Sequence, residues 1–317
     1  MWNATSTASI SSYKTVAYSP SGVNVQHTRR AWLEFDSGKK GRVGFGTALI
    51  AYQTARPSVS SGCRLPQRSV CCTVHRSTFQ SFCSVRLAVL SDIHANLHAL
   101  QAALRIVEQA DVEAIYCLGD IVGYNADPGP CVDLVREHCT YVVQGNHDRA
   151  VATGAGMEQL PLDAQRAATH HRSVLNEEQL AFLRALPLVD TVGPCTLVHA
   201  SPDAPDSWKH LSAYQDIRTQ FEHFDTPFCF TGHTHIPAVI ADALGVFEVR
   251  AGHRYLINVG SVGQPRDHTS KGSLVLFDTE ALIHRCVRFS YDVEAAAARI
   301  EAEQLPVRLA KRLRDGQ

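Results

Sequence analysis

The sequence predicts an α/β fold built on mixed sheets, and three observations carry that expectation. Short apolar runs alternate with helical patterns from residue 85 to about residue 148, as parallel βαβ units with right-handed crossovers require. From about residue 246 the apolar runs follow one another with little helix between them, which implies antiparallel strands. Five of the apolar runs end in turns that carry Asp, Asn or His.

The elements follow in order. Arg86–Leu90 is a short apolar run, read as a buried strand that ends at Ser91-Asp92. Asn96 can cap a helix in which Leu97, Leu100, Leu104 and Val107 form one apolar face. Residues 113–118 form the next strand, ending at Gly119-Asp120. A helix around 132–138 leads to a strand at 141–143, which ends at Gly145-Asn146-His147-Asp148. Residues 160–186 are helical in pattern, with Asn176 as a second cap. Strands are expected at 196–198, ending at His199, and at 227–230, ending at Gly232-His233-Thr234-His235. The antiparallel run takes in 246–249, 255–259, 273–277 and 285–289. Residues 292–314, rich in Ala, Glu and Arg, read as a helical pair.

Composition bounds the class. Of 317 residues, 45% are hydrophobic and 19% charged, near the globular average, which excludes a chain disordered throughout or a fibre. No stretch reaches the ~18 consecutive apolar residues of a membrane helix. Formal net charge is −1, which argues against stable nucleic-acid binding. That balance hides an asymmetry. Residues 1–84 carry ten basic and two acidic side chains, net +8, whereas residues 85–317 are net −9.

The first 84 residues also hold fourteen Ser and eight Thr, and Gly, Pro and Ser interrupt them throughout. Such a segment buries no core and reads as disordered. Two sharper readings are a transit segment, since it is rich in Ser and poor in acids, and a non-native extension from a misassigned start. The second is preferred: only Met1 and Met157 are present, and Val85 stands just before the first core strand. The ten cysteines are scattered rather than set in a disulfide framework, and Cys117, Cys195 and Cys229 sit inside strand-like runs. No signal peptide is evident, so a reducing, cytoplasmic setting is expected.

The chemistry gathers at five strand ends: Asp92 and His94, Asp120, Asn146-His147-Asp148, His199, and His233 with His235. In open α/β sheets the loops at the carboxyl ends of strands form the binding crevice, so one fold brings all five to one edge. Two carboxylates, four imidazoles and one amide oxygen exceed the needs of a single ion. Two divalent ions sharing a carboxylate would use them all. Mixed N/O ligation suits Mn, Fe or Zn better than Mg or Ca. Two such ions against two carboxylates leave a positive site, which attracts phosphate.

These blocks, in this order, resemble the signature of the calcineurin-like metallophosphoesterases, over residues 86 to about 290. The wording of Ser91–Asn96, of Leu118-Gly-Asp-Ile-Val-Gly-Tyr124 and of Asn258-Val-Gly-Ser-Val-Gly-Gln-Pro-Arg266 is similar to the small bacterial and archaeal phosphodiesterase branch. The resemblance implies a four-layer αββα sandwich for residues 85–317, a metallophosphoesterase domain. It implies that Asp92, His94 and His235 bind a first metal, that Asn146, His199 and His233 bind a second, and that Asp120 bridges both. The ions would be manganese, with iron, zinc or nickel as alternatives. His147 matches the non-ligand histidine that stabilises the transition state or protonates the leaving oxygen, while metal-bound hydroxide attacks phosphorus.

The implied substrate is a phosphodiester or small nucleotide. The blocks Gly119–Asn125 and Gly145–Asp148 lack the arginine of the phosphoprotein phosphatases, which disfavours a phosphoprotein. Phosphomonoesters and dinucleoside polyphosphates are the alternatives, and a catalytically silent metal-binding scaffold is the rival from another class. Among lesser candidates, Asp148 either orients His147 or caps a loop. Arg149 and Arg266 could contact phosphate bidentately but read first as surface or structural cations, His170-His171 read as a solvated helix face, and Trp208, which could stack a base, reads first as a packing residue.

Overall fold

A computed structural model describes residues 85–246 and 248–317 and, as backbone only, three strands nearer the start of the chain. Those strands are β1 (Thr15–Tyr18), β2 (Asn24–Trp32) and β3 (Gly44–Ile50), paired antiparallel in the order β1-β2-β3. They belong to a unit spanning Met1–Arg76, and the remainder forms a second unit, Ser77–Gln317. The expectation of a disordered or non-native extension over 1–84 falls mainly outside the described residues.

The second unit opens with the expected alternation: β4 (Arg86–Leu90), α1 (Leu97–Gln109), β5 (Ala114–Cys117), α2 (Pro128–His138) and β6 (Tyr141–Val142). Next come α3 (Asn146–Thr153), α4 (Leu162–Val174), α5 (Glu177–Ala185), β7 (Val189–Val192) and β8 (Cys195–Val198). The chain continues through α6 (Tyr214–Gln220), β9 (Phe228–Thr231), β10 (Ala238–Ala241) and β11 (Tyr255–Asn258). It ends with β12 (Gly272–Asp278), β13 (Ile283–Phe289), α7 (Val293–Ala302) and α8 (Val307–Asp315). The caps act locally as expected. The Asn96 side chain accepts the Ala99 N–H at 3.1 Å, and Asn176 forms a reciprocal box with Gln179.

Two five-stranded sheets result, in the orders β13-β12-β4-β5-β6 and β10-β11-β9-β8-β7. Each has three parallel strands (β4, β5 and β6; β8, β9 and β11) flanked by antiparallel ones. Period-two alternation sorts the side chains into layers. Leu87 and Val89 of β4 point into a core between the sheets, with Leu197, Phe228, Phe230, Tyr255 and Ile257 from the facing sheet. Ala88 and Leu90 point the other way, into a core shared with helices α1–α5, α7 and α8. On the far side of the second sheet, Val198, Cys229 and Leu256 pack on Phe221 and Phe224 beyond α6. Helices, sheet, sheet and helix make the four-layer sandwich.

Two local expectations need correction. Among the described residues of 246–249 none is in a strand; the strand antiparallel to β11 is β10 at Ala238–Ala241. The C-terminal strands also do not form one antiparallel run. Strand β11 lies parallel to β9 in one sheet, while β12 and β13 join β4 in the other. Apolar runs at a short spacing identify strands but not their sheet partners, which are long-range contacts. Among the described residues no helix is long and apolar enough to cross a membrane.

Candidate metal centre

Five strands, three from one sheet and two from the other, deliver their carboxyl ends to one place. Asp92 and His94 follow β4, Asp120 follows β5, and Asn146 and His147 open α3 after β6. His199 follows β8, and His233 and His235 follow β9. Every one of these predicted residues is buried except Asn146, which is partly so. Five of them, Asp92, His94, Asp120, His233 and His235, have φ between 51° and 64°. Such left-handed backbone costs a non-glycine residue about 1–2 kcal/mol, so the packed sheets stabilise a strained edge. Two glycines leave the room this requires. A Cβ on Gly145 would collide with the Asp120 carboxylate, and one on Gly123, at φ +96°, would collide with the His147 ring.

The imidazoles are oriented from behind. Nδ1 of His94, His199 and His235 lies against the backbone carbonyls of Val122 (3.0 Å), Leu118 (2.8 Å) and Gln264, and Nε2 of His233 against that of Trp208 (2.9 Å). A carbonyl only accepts, so each of these nitrogens carries the proton and donates it. The opposite nitrogens of His94, His233 and His235, which burial keeps neutral, are then lone pairs, and that of His199 would become one when a cation displaces its second proton; all four converge. His94 Nε2 and His235 Nε2 are 3.2 Å apart, as are His199 Nε2 and His233 Nδ1. Backing of ring nitrogens by carbonyls is how metal-binding imidazoles are held.

The carboxylates complete two groups. Asp92 Oδ1 is 3.3 Å from His235 Nε2 and 3.7 Å from His94 Nε2, and it has no hydrogen-bond partner. Asp120 Oδ2 is 3.2 Å from His199 Nε2 and 3.7 Å from His94 Nε2, so it reaches both groups. Their other oxygens are anchored: Asp92 Oδ2 accepts the His233 N–H at 3.0 Å, and Asp120 Oδ1 accepts the His147 N–H at 2.8 Å. The ligating atoms of Asp92, His94 and His235, and those of Asp120, His199 and His233, fall within 4.8 Å of one another and could hold a metal ion. A third such set is His94, Asp120 and His147. Asn146 Oδ1 is buried without a partner. Orphaned acceptors in a dry site fit cations, because a buried lone pair with no donor costs free energy.

Electrostatics agree with a demand for positive charge. Burial pushes His94 and His235 well below the ordinary histidine range, and His147 down to about 4. Against the same burial, Asp120 and then Asp92 raise His199 to about 9. Burial lifts Asp92 to about 6, while the imidazoles of His199 and His147 hold Asp120 well below the usual carboxylate range despite burial.

Some expectations are revised here. Asp148 does not orient His147: its oxygens accept the backbone N–H groups of Ile121 (2.9 Å), Val122 (3.2 Å) and Gly145 (3.1 Å). Its role is to cap that loop. His171 is not on a solvated face but fully buried. Its Nδ1 accepts the Gly123 N–H at 3.0 Å and its Nε2 donates to the Asn125 carbonyl at 2.6 Å, which fixes the turn that carries Tyr124. Tyr124 packs edge-on against His94 and tilted against His147, with ring centroids 4.7 and 4.6 Å away. His210 lies 4.1 Å from the His233 ring. Neither Tyr124, His210 nor His171 stands out by pattern; only Tyr124 lies inside a signature block. A cavity of about 260 Å³ opens over the site, lined by Asp120, Asn146, His147, His233 and His235 and walled by Tyr124, Trp208, His210 and Arg266.

Carboxylates and backed imidazoles, gathered at strand ends between two sheets, define a metal-dependent hydrolase of the metallophosphoesterase class. The chain belongs to the calcineurin-like phosphoesterase superfamily, whose domain matches residues 85–282. It is thus a phosphoester hydrolase. A relative of Methanocaldococcus jannaschii, itself uncharacterized, is 37% identical over 238 residues, 72% of this chain and 96% of that protein. The crystal structure of a metallophosphoesterase from Sphaerobacter thermophilus superposes with a TM-score of 0.65 at 34% identity, over 74% of this chain and 99% of that one. A hypothetical protein from Pyrococcus horikoshii shares the fold at 24% identity and a TM-score of 0.61, over 74% of this chain and 99% of its own.

Proposed function

We propose that the protein hydrolyses a phosphodiester or small nucleotide at a dinuclear metal centre. One observation carries the reading: two pairs of imidazole nitrogens, each 3.2 Å apart, face each other with the Asp120 carboxylate between them. Asp92, His94 and His235 would hold one cation, Asn146, His199 and His233 a second, and Asp120 would touch both. When bound, two divalent cations, manganese foremost and iron, zinc or nickel as alternatives, supply Lewis-acid charge and draw a proton from water near neutral pH.

The chain's own residues supply the remainder. His147 faces the cavity beside His94, with ring centroids 4.9 Å apart, in reach of a leaving oxygen. A phosphate anion beside it favours its charged form, so substrate binding itself would arm His147 as the general acid. The Asn146 amide is a neutral donor and keeps the site positive. Tyr124, Trp208 and His210 exclude water from the cavity. The cavity's size supports a small substrate, and the net charge of −9 over residues 85–317 argues against stable nucleic-acid binding. The six cysteines of the described residues are free thiols, which supports a reducing, cytoplasmic setting.

The test is Mn²⁺-dependent hydrolysis of bis-p-nitrophenyl phosphate against p-nitrophenyl phosphate, with Asp120→Ala as control. Diester turnover that disappears in the variant is the expected result. Turnover of the monoester alone would select a phosphomonoesterase. Two bound cations without turnover of any phosphoester would leave the silent scaffold.

A further inference from the structure

The cavity wall carries a cation that the metal centre does not use. Arg266, in the loop after β11, lines the cavity together with Tyr124. Its Nη2 donates to the Tyr124 hydroxyl at 3.2 Å and lies 3.4 Å from Gln264 Oε1. Its Nε is buried with no partner, and so is Nε2 of the fully buried Gln264. A second arginine, Arg312 of α8, stands 5.3 Å from the same Tyr124 ring, and the Arg266 guanidinium stands 5.7 Å from it. Arg266 has no carboxylate within 4 Å among the described residues, whereas Arg86, Arg136, Arg184, Arg254, Arg288, Arg299 and Arg314 each do. Burial and the neighbouring Arg266 both push Arg312 below its ordinary value. Two like charges gathered on one ring, one of them with the unspent Nε donor of Arg266, form an incomplete arrangement, and an anion completes it.

We propose that Arg266 and the Tyr124 hydroxyl form a second anion subsite beside the metal centre, which receives a phosphate group additional to the scissile one, so that the substrate is a polyphosphorylated small molecule of the nucleoside polyphosphate kind. The proposal rests on the phosphoester-hydrolase reading of the metal centre. Tyr124 touches His94 and His147 on one side and Arg266 on the other. The guanidinium thus stands one aromatic ring away from the ligand and acid positions, at the group next to the one that reacts. In the reaction, water gives up a proton to solvent as its oxygen bonds to the phosphorus that the candidate metal site would hold, and the bond to the bridging oxygen breaks. That oxygen keeps the electron pair, takes a proton from His147 and departs with the phosphate that Arg266 holds. A guanidinium suits this place because its fork matches phosphate oxygens two at a time. Arg312 stays behind the ring, where its Nε donates to the Gln317 carbonyl at 2.8 Å, and it adds positive potential.

The test is calorimetric titration of the full-length, Mn²⁺-loaded protein with ADP, AMP, pyrophosphate and inorganic phosphate. The wild type is expected to bind ADP over AMP, and pyrophosphate over phosphate, by on the order of tenfold to a hundredfold, the range for a charge-assisted hydrogen-bonded pair. Arg266→Gln should erase both gaps, and Arg266→Lys should keep part of them. Arg285→Gln, at an exposed position on β13, should change neither. A pyrophosphate gap equal to the ADP gap identifies the phosphate alone as the recognised group; a larger ADP gap adds the nucleoside. Equal binding of ADP and AMP by the wild type overturns the proposal. So does an equal loss for both ligands in Arg266→Gln, provided that its thermal unfolding matches the wild type. Hydrolysis of bis-p-nitrophenyl phosphate and of p-nitrophenyl phosphate, measured alongside, separates the two readings: absence of both removes the proposed turnover at the metal centre, while the ADP to AMP ratio still decides the subsite.

Discussion

The Asp92–His94–His235 group and the Asp120–His199–His233 group are built from the same parts, one carboxylate and two carbonyl-backed imidazoles, yet they stand in different surroundings. In the first, every member is within 1% of full burial, and only His235 reaches the cavity. In the second, His233 is 7% exposed, and Asp120, His233 and the neighbouring Asn146 all line the cavity. Equal donor chemistry with unequal access teaches that depth, rather than ligand type, separates the roles of the two halves. On the dinuclear reading proposed above, the inner group would retain a cation, and the outer one would exchange it and meet substrate.

The largest effect should come from the residue that reaches both halves. Asp120→Ala is expected to lower kcat/KM roughly a thousandfold or more, about 4 kcal/mol of lost transition-state stabilisation. Elemental analysis should find less metal at both positions. The next change separates the halves. A chelator should remove one equivalent of metal before the other, and His233→Ala should abolish the faster phase while His235→Ala abolishes the slower. A single phase for both equivalents would erase the contrast. His147→Ala should cost about 10²–10⁴-fold in kcat, the usual yield of a general acid, with metal content unchanged. A fall in metal content there would instead place His147 among the ligands, the third grouping that its position near His94 and Asp120 allows.

A smaller effect is expected from His171, which touches neither half and holds the turn between them. His171→Gln should lower kcat by about tenfold, the lower end for a residue that orients ligands from behind. It should also change the pH dependence of stability. Burial pushes the folded-state His171 down to about 3, whereas an unfolded histidine titrates near 6.5. Between those values the unfolded chain binds a proton that the folded chain does not, so stability is full above pH 6.5 and falls as pH drops toward 3. Urea unfolding at pH 7 and pH 5 should show a wild-type loss that exceeds the loss in His171→Gln by roughly 1 kcal/mol per pH unit.

Several features of the site were legible because they are local. The blocks Asp92-Ile-His94, Gly119-Asp120, Gly145-Asn146-His147 and Gly232-His233-Thr234-His235 each follow an apolar run, and parallel strands carry whatever follows them to one edge. The caps Asn96 and Asn176 were equally plain, since a cap and its target amide lie three residues apart. His171 and Arg266 were visible as candidates, but their roles were not. Their partners, Gly123 and Tyr124, lie 48 and 142 residues away, and no spacing rule spans that distance. Asp148 was ambiguous for the same reason, because its partners at 121 and 122 belong to a different loop.

The sequence by itself determined the class of this protein, most of its strands and the candidate metal-ligating side chains that the fold gathers. Each of these is written in residue type and short spacing, the range over which backbone geometry repeats. Tertiary structure alone decided which sheet received β11, which nitrogen of each imidazole faces inward, and that Tyr124, His171 and Arg266 belong to the site. Those features depend on contacts between distant segments, and on a left-handed backbone at Asp92, His94, Asp120, His233 and His235 that only the packed sheets can sustain.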